Sequence, residues 1–236
     1  MRVWLTNSLT GTYAQYCLCN PVDVHPLPET LTFEQGAAIG IPYRTAYRAL
    51  NNFAQARSGE SVLVHGATGG VGIAALQFAR WHGLSPIIAS TSSKDNSVRD
   101  ILTASGATQI IEHGALDESS KVDVIIENLA NKNLGKDLKS INRYGRVIIV
   151  GSRGETTVNP RDLMRSEGTV RGLVGHGSPE EKEQIDAAIQ AGLGSGQLNP
   201  VVGHVFKLGE ISAAHEEVIS HSRGTNGKIV VLPWSD

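Results

Sequence analysis

The apolar run Val62-Leu-Val-His65 passes directly into Gly66-Ala-Thr-Gly-Gly-Val-Gly72 and then into small apolar residues. A strand that ends in glycines and feeds a helix gathers unpaired helix-start N–H groups and the positive end of the helix dipole at one point, where a phosphate can sit. Glycine matters there because a side chain would hold the backbone away from a pyrophosphate. The Gly-x-Gly-x-x-Gly dinucleotide pattern would need glycine at 67, 69 and 72, and Ala67 breaks it. What stands is Gly66-x-x-Gly69-x-x-Gly72, with the tight turn one residue earlier. The chemistry this spacing supports is dinucleotide binding.

The end of the next strand chooses between nucleotides. NAD binders place a carboxylate on the ribose 2′-hydroxyl there, and NADP binders place hydroxyls and a cation. Ala89-Ser-Thr-Ser-Ser-Lys94 offers hydroxyls at Ser92 and Ser93 and the Lys94 ammonium, with Asp95 beyond the lysine. NADP(H) is the expected cofactor. Two rival nucleotide turns fail: a short-chain dehydrogenase turn would need glycine where Ile73 and Ala75 stand, and a P-loop would need lysine where Ile73 stands.

The elements that must position these residues follow an alternating rhythm. Apolar periodicity predicts strand 61–66, helix 70–82, strand 86–91, helix 97–105, strands 108–112 and 123–126, helix 133–142, strands 146–150 and 169–174, and helix 179–192. Such alternation implies a doubly wound parallel sheet. Ser178-Pro-Glu-Glu181 predicts the last helix start, with Ser178 as cap, Pro179 at the first position and Glu181 closing a capping box. Nine residues separate His113 from Asp123, fewer than the roughly 10 to 12 of a helical crossover, so no helix is expected over 114–122. Residues 12–19 read as strand-like, helices over 33–39 and 43–51 are separated near Gly40 and Pro42, and the tail reads as strand 205–208, helix 211–221 and strand 228–232.

A chain of 236 residues with 21 Lys+Arg against 23 Asp+Glu carries no basic field that would draw a phosphate backbone. Cys17 and Cys19 would share one face of a strand, too close for an ordinary disulfide. No second Cys pair follows and the eight histidines lack zinc spacing, so no metal is expected. Neither a signal peptide nor a membrane span is read, and the cytoplasm is the plain expectation.

Over nearly its whole length the chain resembles the zeta-crystallin type quinone oxidoreductases of the medium-chain dehydrogenase/reductase superfamily. The blocks that carry the resemblance are Gln35-Gly-Ala-Ala-Ile-Gly-Ile-Pro-Tyr-Arg-Thr-Ala-Tyr-Arg-Ala-Leu50, Ser61 to Gly72, Gly145-Arg-Val-Ile-Ile-Val-Gly-Ser-Arg-Gly154 and Asn159-Pro-Arg-Asp162. The resemblance implies a zinc-free enzyme that uses NADPH to reduce quinones, by one-electron transfer in zeta-crystallin itself. By matched position it implies Thr45 near the nicotinamide, Thr68, Gly69, Gly70 and Val71 on the pyrophosphate, and Ser92, with Ser93 and Lys94, near the 2′-phosphate. It implies His113 and Asn133 on the adenosine and ribose side, and Val150, Gly151, Ser152, Arg153, Leu173, Val174 and Gly175 along the nicotinamide.

The same resemblance implies an N-terminal GroES-like β-barrel of which residues 1–32 match only the end, a Rossmann domain over 33–200, and a segment 201–236 returning to the barrel remnant. Such a truncation would remove most of one cleft wall. The expected activity is NADPH-dependent quinone reduction without zinc; the alternative is a non-catalytic NADPH-binding protein, crystallin-like or RNA-associated. Self-association through the edge strand at 169–174 is also implied, as a dimer or tetramer.

Overall fold

The computed structural model describes residues 1–116, 120–175, 177–222, 224 and 226–234. Its centre is a six-stranded sheet in the order β5-β4-β3-β6-β7-β8. The strands are β3 (Val62–His65), β4 (Ile87–Thr91), β5 (Gln109–Glu112), β6 (Val122–Glu127), β7 (Ile141–Ile149) and β8 (Thr169–Gly172). Every neighbouring pair is parallel. The order reverses beside β3, which creates the crevice where ligands of doubly wound sheets sit.

Alternation along the strands explains the two covered faces. Val62, Val64, Ile126 and Ile148 point into one apolar cluster, and Leu63, Ile125 and Val147 into the other. The first face is covered by α2 (Gly40–Tyr47), α3 (Gly70–Trp81), α4 (Asn96–Ser105) and α7 (Pro179–Gly194). The second takes Leu134 of α5 (Ala130–Asp137) and Leu163 of α6 (Pro160–Ser166).

Two smaller sheets flank this body. β1 (Val3–Leu5) pairs antiparallel with β2 (Val24–Pro26), and β9 (Val202–Lys207) pairs parallel with β10 (Lys228–Leu232) around α8 (Ile211–Ser220). A short α1 (Phe33–Ala37), opened by a Thr32–Gln35 capping box, links the first ribbon to α2. No described helix is long and apolar enough to cross a membrane.

Several expectations need correction. Residues 12–19 form no strand: Thr12 to Tyr16 are exposed, and without a neighbouring strand their propensity has nothing to pair with, so Cys17 and Cys19 lie on a loop. The two expected helices are separated at Ala38 and Ile39, just before Gly40, but not by Pro42, which falls in the first turn of α2, where its missing N–H costs no intrahelical bond. The helix expected over 133–142 is α5, three residues earlier, and β7 begins at Ile141 because a bulge places residues 142–145 within the strand, with Tyr144 at φ +65°. Ser178 caps α7, but the Glu181 carboxylate bonds Arg48 and Asn52 instead of closing the box, and the helix runs on to Gly194. Helix α6 was not expected; Asn159 caps it and Pro160 opens it. In the connection after β5 no described residue is helical, while 117–119 lie outside the described residues.

Candidate functional site

The turn after β3 is built by close backbone contact. Gly66 takes φ +62°, and the Gly69 N–H closes the turn on the Gly66 carbonyl at 3.2 Å. A Cβ on Gly72 would lie 2.4 Å from the Gly66 carbonyl oxygen and 2.6 Å from the Ala67 Cα, so only glycine lets α3 start this near the strand. Gly69 holds the cap position of α3 without a side chain, and Gly70 begins the helix. The first N–H groups of α3 are left facing outward with the positive end of its dipole.

A chain segment far away in sequence lies across this turn. Gly227 donates its N–H to the Thr68 carbonyl at 2.8 Å and bridges Gly69 in parallel. That contact carries Lys228 to Gly70, where an added Cβ would meet the Lys228 Cδ at 3.7 Å and the Pro42 ring at 3.1 Å. Burial alone pushes the Lys228 ammonium below its ordinary value. Gly69, Gly70 and Lys228 open on a cleft of about 520 Å³, which Ile41, Tyr13 and His215 also line. Sequence reading missed Lys228, since a Gly-Lys pair before an apolar run has no signature of its own.

Parallel strands in register bring the remaining candidate residues to the same edge. Thr68 and Val71 belong to the β3 turn, and Ser92, Ser93 and Lys94 follow β4. Ser92 and Lys94 are exposed; Thr91 Oγ1 accepts from the Ser93 N–H at 3.0 Å, Ser93 Oγ from the Asp95 N–H at 3.3 Å, and Asp95 caps α4. His113 follows β5, its Nδ1 2.8 Å from Ser90 Oγ, and burial, with His65 and Lys132 nearby, lowers its titration. Asn133 is buried on α5 and donates to Glu127 Oε1 at 3.4 Å.

Val150 to Arg153 follow β7. The Val150 and Gly151 N–H groups bond the Glu127 carbonyl, Gly151 has no room for a Cβ beside Asn128, Ser152 Oγ donates to the Gly154 carbonyl, and the Arg153 N–H reaches Asn131. Leu173, Val174 and Gly175 follow β8. Buried Thr45 meets Leu173 and Gly175 across a small cleft with Arg44 and Arg48, and Arg48 also bonds the Val174 carbonyl. Segments separated by more than a hundred residues thus converge on one edge of one sheet.

The family described as zinc-binding dehydrogenase matches residues 70–191. The quinone oxidoreductase of Homo sapiens is 44% identical over 241 residues, which cover 98% of this chain and 72% of that protein. The chain belongs to the quinone oxidoreductases of the medium-chain dehydrogenase/reductase superfamily. The Mus musculus quinone oxidoreductase is 42% identical with the same coverage. The structure of the Thermus thermophilus quinone oxidoreductase, solved also in complex with NADPH, superposes with a TM-score of 0.79 at 33% identity, covering 89% of this chain and 69% of that one. AibC superposes with a TM-score of 0.81 at 28% identity, covering 95% of this chain and 63% of that one.

The family description names zinc, and among the described residues one trio has ligand-like spacing: His65, Glu127 and Asp137, whose ligand atoms lie within 4.8 Å of one another. The trio does not fit a metal. Its His65 Nδ1 is buried with no hydrogen-bond partner among the described residues, and coordination through Nε2 would fix a proton on Nδ1 with none of them to receive it.

Proposed function

We propose that the protein binds NADPH along the carboxyl edge of its sheet and reduces a quinone or similar electrophilic acceptor. The single observation that carries the reading is the glycine turn that Gly227 ties to the far end of the chain: helix-start N–H groups, a helix packed so near its strand that Gly72 has no room for a Cβ, and the Lys228 side chain beside Gly70. NADPH, when bound, supplies the reducing equivalents and the protein supplies position. Thr68 to Val71 hold the pyrophosphate against the start of α3. Lys228 adds the counter-charge. Ser92, Ser93 and Lys94 receive the 2′-phosphate, His113 and Asn133 face the adenosine and ribose, and Val150 to Arg153 and Leu173 to Gly175 lead to the nicotinamide beside Thr45.

Quinone oxidoreductases at 44% identity support the reaction, and a structural relative solved with NADPH supports the cofactor. The proposed chain organisation is a cleft-wall segment over 1–32, the nucleotide domain over 33–200 and a returning segment over 201–236, acting in the cytoplasm. The outer edge of β8 has no partner strand among the described residues, and pairing of two copies along it is the proposed route to a homo-oligomer.

The test is a paired assay. NADPH fluorescence titration should show saturable binding that Gly69→Glu abolishes, because a carboxylate would occupy the phosphate position. Unchanged affinity in that variant overturns the turn assignment. NADPH oxidation with an ortho-quinone should then show turnover; binding without turnover would leave a non-catalytic NADPH-binding protein.

A further inference from the structure

Beneath the cofactor edge, His65, Glu127 and Asp137 are 4%, 0% and 2% exposed. His65 Nε2 lies 2.9 Å from Asp137 Oδ1 and 3.7 Å from Glu127 Oε2. With no acceptor for Nδ1 among the described residues, the ring proton belongs on Nε2, where Asp137 receives it. Glu127 Oε2 and Asp137 Oδ2 are then two buried oxygens with no donor between them. Two facing carboxylates in such a place are costly; one proton, on Glu127, gives it a hydrogen bond to donate to Asp137.

Glu127 and its neighbour Asn128 are tied to three segments of the crevice. Its Oε1 accepts from the Leu129 N–H and from Asn133 Nδ2, and its carbonyl accepts from Val150 at 2.8 Å and Gly151 at 3.1 Å. The next residue, Asn128, donates to the His65 carbonyl at 2.8 Å, and a Cβ on Gly66 would lie 3.2 Å from its Cβ. The β3 turn, the start of α5 and the 150–153 segment therefore meet at Glu127 and Asn128; the start of α5 bonds the Glu127 carboxyl itself, and the other two bond the backbone carbonyl and the next side chain.

We propose that Glu127 is a positioning residue: as a carboxylic acid bonded to Asp137, and through Asp137 to His65, it holds the glycine turn and Asn133 in register for NADPH. This rests on the NADPH reading above. Burial first, and Asp137 second, raise the Glu127 carboxyl to about 9, which agrees with the acid form at neutral pH. Facing it are His65 from β3 and Asn133 and Asp137 from α5; Lys136 and Lys139 line the same cavity as those three, and His113 after β5 feels His65 and Lys132. Glutamine copies the acid form, with an acceptor oxygen for Leu129 and Asn133 and a donating NH2 toward Asp137, and cannot copy a carboxylate.

The experiment measures NADPH affinity in the full chain and in Glu127→Gln and Glu127→Ala from pH 7 to 10, with Zn²⁺ titrated in parallel. Glu127→Gln should bind within about threefold of the native protein at pH 7, and Glu127→Ala about tenfold more weakly or worse. As pH passes about 9, Glu127 ionises beside Asp137, so the native protein should lose affinity relative to Glu127→Gln. Lys228 titrates in both proteins, so the difference between the two profiles is what is read. Should Glu127→Ala fail to fold, the glutamine comparison stands alone. Loss of binding in Glu127→Gln at pH 7, parallel pH profiles, or stoichiometric Zn²⁺ binding that Glu127→Gln removes would each overturn the proposal. No NADPH binding by the native protein overturns the functional reading and this inference with it, whereas native affinity in Glu127→Ala overturns this inference alone.

Discussion

The turn after β3 and the loop after β4 leave the same edge of the sheet, yet they are held by different means. In the turn, backbone meets backbone: Gly72 packs on Gly66 and Ala67, and Gly227 bonds the Thr68 carbonyl from the far end of the chain. In the loop, Ser92 and Lys94 stand in solvent, and only short local bonds from Thr91, Ser93 and Asp95 shape it. The proposed pyrophosphate position is thus part of the packed core, where any change is felt by the fold. In the proposed reading, selection of the 2′-phosphate is left to side chains that can change without disturbing that core.

The largest effect should come from Gly72→Ala. The added methyl meets backbone atoms at 2.4 and 2.6 Å, which cannot rotate aside as a side chain can. The helix start must move off the strand, at a cost of about 3 kcal/mol or more, and thermal unfolding should fall by about 10 °C for a chain of this size. An unshifted melting curve would mean that the turn is as adaptable as the loop. Next comes Lys228→Met. The half-buried ammonium pairs with no carboxylate within 4 Å among the described residues, so its removal should leave the melting temperature equal or higher. NADPH affinity should fall by about tenfold, the loss of one charge-assisted bond. A fall in stability with unchanged affinity would place Lys228 outside the phosphate site.

This contrast also explains what the sequence could tell. The β3 turn was legible because strand, glycines and helix are contiguous, and the rule that decides them is local. The sheet was legible because buried parallel strands such as Val62-Leu-Val and Val124-Ile-Ile are continuous apolar runs. Lys228 was not, since its place depends on one backbone bond between Gly227 and Thr68. The His65, Glu127 and Asp137 cluster was not, because it joins two strand ends and a helix over 72 residues, and each member alone reads as ordinary. At 12–19 the residue types favoured a strand and the fold offered no neighbour to pair with. Helix α6 spans seven residues, too few for a period of 3.6 to show.

The smallest effect bears most directly on the loop. Lys94 is 84% exposed and lies 3.6 Å from Glu112 across two neighbouring strand ends. An exposed pair of this kind contributes about 0.2 to 1 kcal/mol, so Lys94→Ala should leave thermal unfolding within error of the native protein. A lysine facing a 2′-phosphate at the surface is worth a similar amount, which converts to a loss of about two- to fivefold in NADPH affinity. NADH lacks that phosphate, and its affinity should stay unchanged. The ratio of the two affinities therefore isolates the loop from the turn, because both cofactors share the pyrophosphate that Gly69, Gly70 and Lys228 would hold. Equal losses for NADH and NADPH would assign Lys94 to the shared part of the cofactor, and the division of labour between a packed turn and a solvated loop would fail.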